Sequence, residues 1–546
     1  MMRLGIAVVC LLLALPVAGV LGSWALLDAT SLATLSHQWQ TVLPDYVWGS
    51  LVLAVPVALG VVAVGAATAV TVTLFEFPGR RVFEWALLLP LAMPAYVLAY
   101  AYTDFLQYGG PAQSVLRALT GAQGALWPDV RSTPGAVVLF VLCLYPYVYL
   151  LTRAALAERG VPLLEAARLL GAGLGRRVRE VALPLARPAI AAGTALALME
   201  TLADYGVGSF FGLATFTTGI YKAWLVMDDR MAAAQLASLL LAVVAVLLAF
   251  ERRAQQRLRF AGTRAGAVHA GEARPVALRG RGLLLAWLVC ATPVLLGFLL
   301  PVGVLLALAW QESRYAELGL PWARFGAWAW TSFRLAGIAA ACAVLLSMAL
   351  AFVLRESSAP SAGTAGARFR GLLAAGARVV SLGYAVPGAV IAVGILLPVG
   401  WAQSMWPQST LASIVTGTAF GLVYAYLVRF SAVALQSVEA GYARIPPSVD
   451  ETARMLGGGP RRLFVELHAP LLKRSALAAA LLVFVDVMKE LPATLVLRPF
   501  DSDTLAVVAF NLARDERLAE AALPSLAIVA VGLLPVVLLS RALRGR

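Results

Sequence analysis

The feature that most constrains this chain is the recurrence of apolar runs, each about 20 residues long, along its whole length. A helix rises 1.5 Å per residue, so a run of that length crosses the ~30 Å hydrocarbon core of a membrane. Composition agrees, because 61% of the 546 residues are hydrophobic and only 13% are charged. Soluble proteins carry about 25% charged residues. The sequence therefore excludes a soluble enzyme and predicts an all-α, polytopic membrane protein.

Twelve membrane spans are predicted from these runs. They lie near residues 4–27, 50–74, 83–103, 135–152, 189–204, 231–250, 282–310, 335–354, 379–398, 411–428, 475–488 and 518–540. Three prolines, Pro90, Pro94 and Pro387, fall within or at the start of spans. Because proline removes a backbone donor and clashes with the preceding turn, we expect these spans to be kinked.

The net charge of +14 is explained by topology rather than by a nucleic-acid partner. Of the 43 Lys and Arg residues, 32 lie in one alternating set of the segments that connect the spans. Cytoplasmic loops of membrane proteins carry the excess of Lys and Arg, so this set is predicted to be cytoplasmic. Both termini belong to it. We therefore expect no nucleic acid among the partners, and membrane lipid around the spans.

Neither a fixed metal site nor a catalytic site is predicted. The cysteines are Cys10, Cys143, Cys290 and Cys342, and all fall inside apolar spans without a C-x-x-C pair. The three histidines are scattered over different segments, and no nucleophile and base pair stands out. The phosphate-loop pattern G-x-x-x-x-G-K-[ST] is also missing from the sequence. We expect a chain that binds no cofactor and does not itself hydrolyse ATP.

An internal repeat divides the chain into two related halves. At a constant offset of 286 residues, Glu165 matches Glu451, Arg168 matches Arg454, Gly171 matches Gly457, Arg176 matches Arg462, Glu180 matches Glu466 and Pro184 matches Pro470. The predicted division is a first repeat at 1–251, a basic cytoplasmic linker at 252–281 and a second repeat at 282–546. Each half has six predicted spans, so the repeats are parallel and related by an axis along the membrane normal.

The matching positions centre on a loop between the fourth and fifth spans of each half, at 156–188 and 436–474. Each loop is predicted to be a short helix, a glycine break and a basic segment that leads back into the membrane. Pro162 would begin the first helix, and Ser448 would cap the second by a capping box with Glu451. One alternative is a solvated loop held near anionic headgroups by its arginines. Duplication in register favours a pair of matching protein partners.

Glu165-Ala166-Ala167 with Gly171, and Glu451-Thr-Ala453 with Gly457, resemble the E-A-A-x-x-x-G loops of permease subunits of binding-protein-dependent ABC importers. Thr452 replaces the usual alanine in the second copy. The resemblance implies the MetI-like fold and a place in the bacterial inner membrane. It further implies that each loop is a coupling helix seated on one of two cytoplasmic ABC ATPase subunits. A periplasmic substrate-binding protein would deliver the cargo.

Two fused copies in one chain resemble the ferric iron permeases and, less closely, the thiamine permease. The segments after the loops, 200–212, 216–221 and 488–500, resemble the ferric iron branch. The resemblance therefore implies ferric iron import, with thiamine or another small solute as the alternative. The binding protein would dock on the outer loops, chiefly 28–49, 104–134, 205–230 and 489–517.

Carboxylates that follow the loops are candidates for the translocation pathway. They form two pairs spaced four residues apart, Glu200 with Asp204 and Asp486 with Glu490, and Tyr205 adds a phenol. Residues four apart share a helix face, and carboxylates inside a membrane are costly. A passing hard cation would offset that cost. The alternative is that these groups lie at outer helix ends, solvated or paired, with Lys489 as a partner for Asp486.

A secondary transporter of the major facilitator type is a rival, because twelve spans in two parallel halves also describe that architecture. That architecture does not require a matched helix between the fourth and fifth spans. Its usual loop lies between the second and third spans, where this chain has only Phe77-Pro-Gly-Arg-Arg81. Dependence of uptake on ATP rather than on a proton gradient would separate the two.

Overall fold

A computed structural model describes residues 2–26, 29–264, 276–315, 321–357 and 363–544. Most of these residues are helical, which confirms the predicted all-α class. The exception within the described part is one short parallel pairing. It joins Phe75–Glu76 (β1) to Val276–Ala277 (β2).

The helices of the first part of the chain are α1 (Met2–Gly22), α2 (Ala29–Thr41), α3 (Leu43–Leu74), α4 (Arg80–Ala86), α5 (Ala95–Leu106), α6 (Pro111–Thr120), α7 (Thr133–Leu169), α8 (Leu174–Arg176), α9 (Leu183–Ala203), α10 (Gly206–Phe210), α11 (Phe216–Tyr221) and α12 (Arg230–Arg264). Those that follow are α13 (Arg281–Val294), α14 (Leu300–Tyr315), α15 (Trp322–Ser357), α16 (Gly363–Leu382), α17 (Gly388–Met405), α18 (Leu411–Gly417), α19 (Ala419–Tyr442), α20 (Pro447–Met455), α21 (Pro460–Arg462), α22 (Ala469–Met488), α23 (Pro492–Leu497), α24 (Leu505–Arg514) and α25 (Leu518–Arg544).

Within the described residues, ten helical segments are long and apolar enough to cross a membrane, and counting one bent pair as a span gives eleven. The ten are Gly5–Ala25, Leu43–Leu74, Thr133–Ala157, Leu174–Ala203, Arg230–Ala254, Arg281–Arg314, Trp322–Ser357, Gly388–Met405, Ala419–Tyr442 and Leu518–Leu538. The predicted eleventh span, 475–488, lies within α22. That helix is not among the candidates because it carries Lys473, Arg474 and Asp486.

Two predicted spans are broken ahead of a proline. The span predicted at 83–103 is the bent pair, in which the chain turns by 91° between Ala92 and Ala95. The span predicted at 379–398 contains a corresponding break before α17. Pro94 and Pro387 are the N-caps of the helices that follow, with almost identical dihedral angles (φ −60°, ψ 142° and φ −57°, ψ 141°). The expected effect of these prolines is therefore confirmed, as breaks rather than gentle kinks.

The chain forms two compact units that interleave along the sequence. The first unit contains Met1–Leu35, Ile220–Leu241 and Trp322–Val508. In it α15, α19 and α22 pack against one another, and α1 packs on α16 and α17. The predicted repeats concern similarity along the sequence, which is a different division, and their boundaries stay a prediction.

The second unit contains Ser36–Gly219, Ala242–Pro321 and Ala509–Arg546. In it α3, α7 and α9 pack against one another, and α14 packs on α25. The predicted linker begins inside α12, which continues to Arg264, and ends at Arg281, where α13 begins. Residues 265–275 of that linker lie outside the described residues.

Candidate functional site

The first repeated loop is the end of a long helix. α7 runs without interruption from Thr133 to Leu169, so the fourth span and the loop helix are one element. The expected separate helix beginning at Pro162 is therefore wrong. Proline fixes φ near the helical value, so the helix continues through Pro162, although this proline removes one backbone hydrogen bond and crowds the preceding turn.

The second repeated loop contains a separate helix, as predicted. α19 ends at Tyr442, and α20 begins at Pro447 with Pro446 as its N-cap. The expected capping box of Ser448 is wrong, because Ser448 lies inside the first turn and the N-cap makes no side-chain hydrogen bond. The prolines set the start of this helix instead, by their fixed φ.

Both loops end in the same glycine turn. Gly171 and Gly457 each have a φ of +80°, a left-handed value that glycine adopts without strain. In the first loop the amide of Gly171 donates to Arg168 O, and that of Ala172 donates to Ala167 O, both at 3.0 Å. These two bonds form a Schellman motif. The second loop has the same pair of bonds at the same offset.

The register of 286 residues continues beyond the glycines. Each turn leads through a three-residue helix and a π-helical segment, Arg177–Ala182 or Leu463–His468, into the next long helix. An ion pair of 2.7 Å spans the start of each segment, Arg176 with Glu180 and Arg462 with Glu466. From the glycine turn onward, the two loops are thus copies in backbone conformation as well as in sequence.

At the tip of each loop, two large apolar side chains are exposed. Leu169 and Leu170 are 85% and 87% exposed, and their matches Met455 and Leu456 are 88% and 80% exposed. We call these two pairs the apolar tips. Sequence reasoning missed them, because leucines in a helix ordinarily indicate a core-facing stripe. Their position immediately before the repeated glycine was the available sign.

The residues predicted for the coupling loops surround the apolar tips. Ala166, Gly171, Glu451 and Gly457 are exposed, and Glu165, Ala167 and Ala453 are half-buried. An added Cβ at Gly171 or Gly457 would meet no described atom within 4 Å. These glycines are therefore required by the turn and not by close packing within the chain.

A buried polar cluster anchors the second loop. Arg355, in the last turn of α15, donates to Asp450 of α20 at 2.6 Å. His468 Nε2 lies 2.9 Å from the same carboxylate, and His468 Nδ1 lies 3.3 Å from the Tyr442 hydroxyl. Burial, the largest influence, raises the pKa of Asp450, but the hydrogen bonds from Arg355 and His468 outweigh it and the net pKa is lowered. Asp450 is thus held ionised, and it ties α20 to α15.

The first loop is anchored by apolar packing instead. Leu156 and Ala182 occupy the positions of Tyr442 and His468, and both are fully buried. They pack with Val70 and Ala186 in one hydrophobic cluster. The two anchors therefore differ in chemistry although the tips match.

Two of the predicted pathway carboxylates cap short helices. Asp204 Oδ1 accepts from the amide of Val207 at 2.8 Å, at the start of α10. Its match Glu490 accepts from the amides of Ala493 and Thr494 at 2.9 and 3.0 Å, at the start of α23. Capping satisfies amides that have no partner inside the helix.

Glu490 also forms a buried ion pair. Arg429 NH1 donates to its Oε1 at 3.1 Å, and the two side chains are 10% and 2% exposed. Because α19 runs from Ala419 to Tyr442, this span continues past its predicted end at residue 428, and Arg429 lies inside it. An added Cβ at Gly388 would lie 2.7 Å from Glu490 Oε1, so α17 packs directly on this pair.

The remaining pathway candidates differ in their surroundings. Asp486 pairs with Lys489 at 2.9 Å, as the alternative interpretation expected. Tyr205 packs against Phe510, with ring centroids 5.6 Å apart. Glu200 is half-buried and has no hydrogen-bond or ion-pair partner among the described residues. It is the candidate whose charge is least compensated.

The comparisons with known proteins agree with the duplicated loops. Residues 61–260 match the family described as the inner membrane component of binding-protein-dependent transport systems. The chain is also 25% identical over 504 residues to the Fe(3+)-transport system permease protein FbpB 2 of Haemophilus influenzae, a match that covers 90% of this chain and 88% of the relative. The chain is thus similar to inner membrane components of binding-protein-dependent transport systems.

Other relatives match smaller parts of the chain. The putative 2-aminoethylphosphonate transport system permease protein PhnU of Salmonella choleraesuis is 25% identical over 36% of the chain and 70% of its own length. The molybdenum transport system permease protein ModB of Escherichia coli is 33% identical over 24% of the chain and 55% of its own length.

These relatives and the ten candidate spans indicate a multi-pass inner membrane protein and a transporter subunit rather than an enzyme. Within the part that the structure describes, no group of three or more His, Cys, Asp or Glu residues is placed to hold a metal ion.

Proposed function

We propose that this chain is the permease subunit of an ATP-binding-cassette importer of ferric iron, with both termini in the cytoplasm. Two copies of a cytoplasmic ATPase dock on it, one on each apolar tip. A periplasmic binding protein delivers the iron to the outer loops. Closure of the ATPases on ATP moves the tips, and the motion reaches the spans through α9 and α22. The chain itself binds no cofactor.

The duplicated apolar tips are the observation that carries this proposal. Exposed leucine and methionine side chains are unfavourable in water. A partner that buries them gains about 1.5–3 kcal/mol of binding free energy for each side chain. Two tips with the same backbone turn and the same exposure fit two copies of one partner. A secondary transporter of the major facilitator type has no use for such a pair.

The choice of ferric iron rests on how far each relative extends. The relative named for Fe(3+) transport matches nine tenths of this chain, in both halves, whereas those named for phosphonate and molybdenum transport match about a third and a quarter. Half-buried carboxylates suit a hard trivalent cation and disfavour an oxyanion. Thiamine remains the alternative organic cation.

Reconstitution tests the transport class and the substrate together. We expect proteoliposomes that contain this chain, its ATPase and its binding protein to take up radioactive iron only when ATP is inside with the ATPase. Molybdate, 2-aminoethylphosphonate and thiamine, offered in parallel, should not enter. Iron uptake driven by a proton gradient without the ATPase would refute the importer, and ATP-driven uptake of thiamine alone would refute only the substrate.

In the same system, Glu200→Gln tests the pathway. Its carboxylate is half-buried and uncompensated among the described residues, and an ionisable group in a span marks a functional site by default. We expect iron uptake to fall roughly tenfold, equivalent to about 1.4 kcal/mol, with melting temperature and ATPase stimulation unchanged. Asp45→Asn, at an exposed carboxylate near the start of α3, is the control. Normal uptake by Glu200→Gln would remove Glu200 from the pathway.

A further inference from the structure

The second unit contains a long apolar groove beside the first loop. It has a volume of about 950 Å³ and lies between α3, α9 and the later part of α12. Its walls are aliphatic or aromatic, with Val62, Val70, Ile190, Leu198 and Phe250 among them. Phe250 is 61% exposed, so the groove is open on its outer side.

Small side chains give the groove its depth. The facing helices carry Ala63 and Ala67 on α3, and Ala191 and Ala195 on α9, where larger residues would close the space. In a membrane such an open apolar surface is covered by lipid chains. From Arg187 to Leu198 the groove runs along twelve residues of α9, a rise of about 16 Å at 1.5 Å per residue. That distance is about half of the ~30 Å hydrocarbon core, the depth of one leaflet.

Two arginines stand at one end of the groove. Arg179 and Arg187 line it together with Leu183, and residues four and eight apart share one helix face. Both side chains are exposed, and neither has an ion-pair or hydrogen-bond partner in the parts of the chain that are described. This end carries two positive charges with no internal counterion, so it repels a trivalent cation and attracts an anion.

We propose that this groove binds one anionic phospholipid, with an acyl chain along α3 and α9 and the phosphate between Arg179 and Arg187. Basic pockets between membrane helices on the cytoplasmic side are suited to lipid headgroups. The prediction from charge places this end in the cytoplasmic leaflet. Because Arg179 and Arg187 lie in the last part of the first loop, the lipid stabilises the segment that leads from the apolar tip into the membrane.

The second half does not repeat this site. At the offset of 286 residues, Val465 and Lys473 replace Arg179 and Arg187. One basic residue of the pair is therefore lost, and we expect one such lipid per chain.

Native mass spectrometry of the purified full chain, titrated with phosphatidylglycerol or phosphatidylcholine, tests the site. Each arginine near a membrane surface contributes about 1 kcal/mol to binding of anionic lipid, so Arg179→Leu with Arg187→Leu should weaken phosphatidylglycerol binding roughly 30-fold. Ala191→Trp fills the groove without changing charge and should also reduce binding. Wild type should bind phosphatidylcholine weakly.

The control is Arg461→Leu with Arg474→Leu, which removes two exposed arginines in the last part of the second loop. We expect it to keep one bound phosphatidylglycerol per chain. Wild type would have no preference for the anionic headgroup if it bound the two lipids equally. If the control variant lost as much phosphatidylglycerol binding as Arg179→Leu with Arg187→Leu, the binding would be only a general attraction between a basic surface and anionic lipid. Unchanged binding by Ala191→Trp would show that the acyl chain lies elsewhere. Each of these results would overturn the proposal.

Discussion

Replacing Leu169 and Leu170 by aspartate is expected to release one of two ATPase subunits from the purified complex while the chain stays folded. Both side chains are more than four-fifths exposed, so the substitution removes little contact within the chain. Two buried leucines contribute about 3–6 kcal/mol to an interface, which corresponds to a loss of affinity of roughly 100-fold or more. The measurement is the ATPase stoichiometry and affinity in detergent, by light scattering and titration.

The second apolar tip supplies the matched variant. Met455→Asp with Leu456→Asp should release the other ATPase subunit, and all four changes together should leave none. Leu225→Asp with Val226→Asp is the control. These adjacent apolar residues are also exposed, but they lie outside the two repeated loops. If the four-site variant retained both ATPase subunits at wild-type affinity, the tips would not be docking surfaces.

Variants of Gly171 and Gly457 separate the turn from the interface. An alanine at a φ of +80° costs about 1–2 kcal/mol in backbone strain, and its Cβ meets no described atom within 4 Å. Alanine should therefore lower stability slightly and keep the ATPase, whereas tryptophan at the same position adds bulk toward the partner. ATPase binding lost in the tryptophan variant alone would locate the partner's surface at the turn.

Repetition makes the loops predictable. The constant offset of 286 residues is enough to locate both glycine turns, because a turn that needs a left-handed residue favours glycine in each copy. The helix that precedes the turn is predicted for both copies, yet it is separate only in the second. A local sequence pattern such as a glycine turn predicts where a helix ends. It is less reliable for predicting whether two helical segments form one continuous helix.

The span count depends on features that hydropathy does not resolve. Apolar runs on both sides of Pro94 add up to one predicted span, but the chain bends by 91° there. The apolar centre of α22 predicts a span, and its charged ends exclude it from the ten candidates. Backbone direction and end charges, rather than average hydropathy, account for the differences.

The anchoring residues could not be found from the sequence. Arg355 lies 95 residues from Asp450, and Arg429 lies 61 residues from Glu490. Periodicity and spacing describe neighbours along a helix, and contacts at such separations depend on how the helices pack. The first half offers no hint either, because Cys143 stands where the second half has Arg429.

The two halves have therefore diverged at the buried positions that hold their helices together, whereas their exposed apolar tips are alike. Cys143, Leu156 and Ala182 in the first half correspond to Arg429, Tyr442 and His468 in the second. All six are buried. Apolar contacts hold the first loop, and charged hydrogen bonds hold the second. Hydrogen bonds are directional and an unpaired buried charge is costly, so the second loop has fewer ways to shift without losing a partner.

Arg429→Met is expected to lower the stability of the folded chain strongly. It leaves the buried Glu490 carboxylate without its cation, and breaking a buried ion pair by removing one partner costs about 3–5 kcal/mol. Thermal melting of the purified chain in detergent measures the loss. Asp204→Asn is the matched control, because Asp204 is the counterpart of Glu490 in the first half. Asparagine keeps the oxygen that caps α10.

A double-mutant cycle separates the charge from the cap. Arg429→Met with Glu490→Leu removes both charges at once, so no unpaired charge remains, and the remaining cost is the lost cap of α23, about 1 kcal/mol. We therefore expect the double variant to be more stable than Arg429→Met alone. A double variant as unstable as the sum of its singles would show that the pair does not interact.

The same residues distinguish a structural role of Glu490 from a role in translocation. Its oxygens already accept from Arg429, Ala493 and Thr494, so a passing cation would have to displace bonds that hold α23 in place. Glu490→Gln should therefore lower the melting temperature, and uptake per folded molecule should stay near the wild-type value. A Glu490→Gln chain that melts normally but no longer moves iron would place this carboxylate in the pathway, and the ion pair with Arg429 would then open and close during transport.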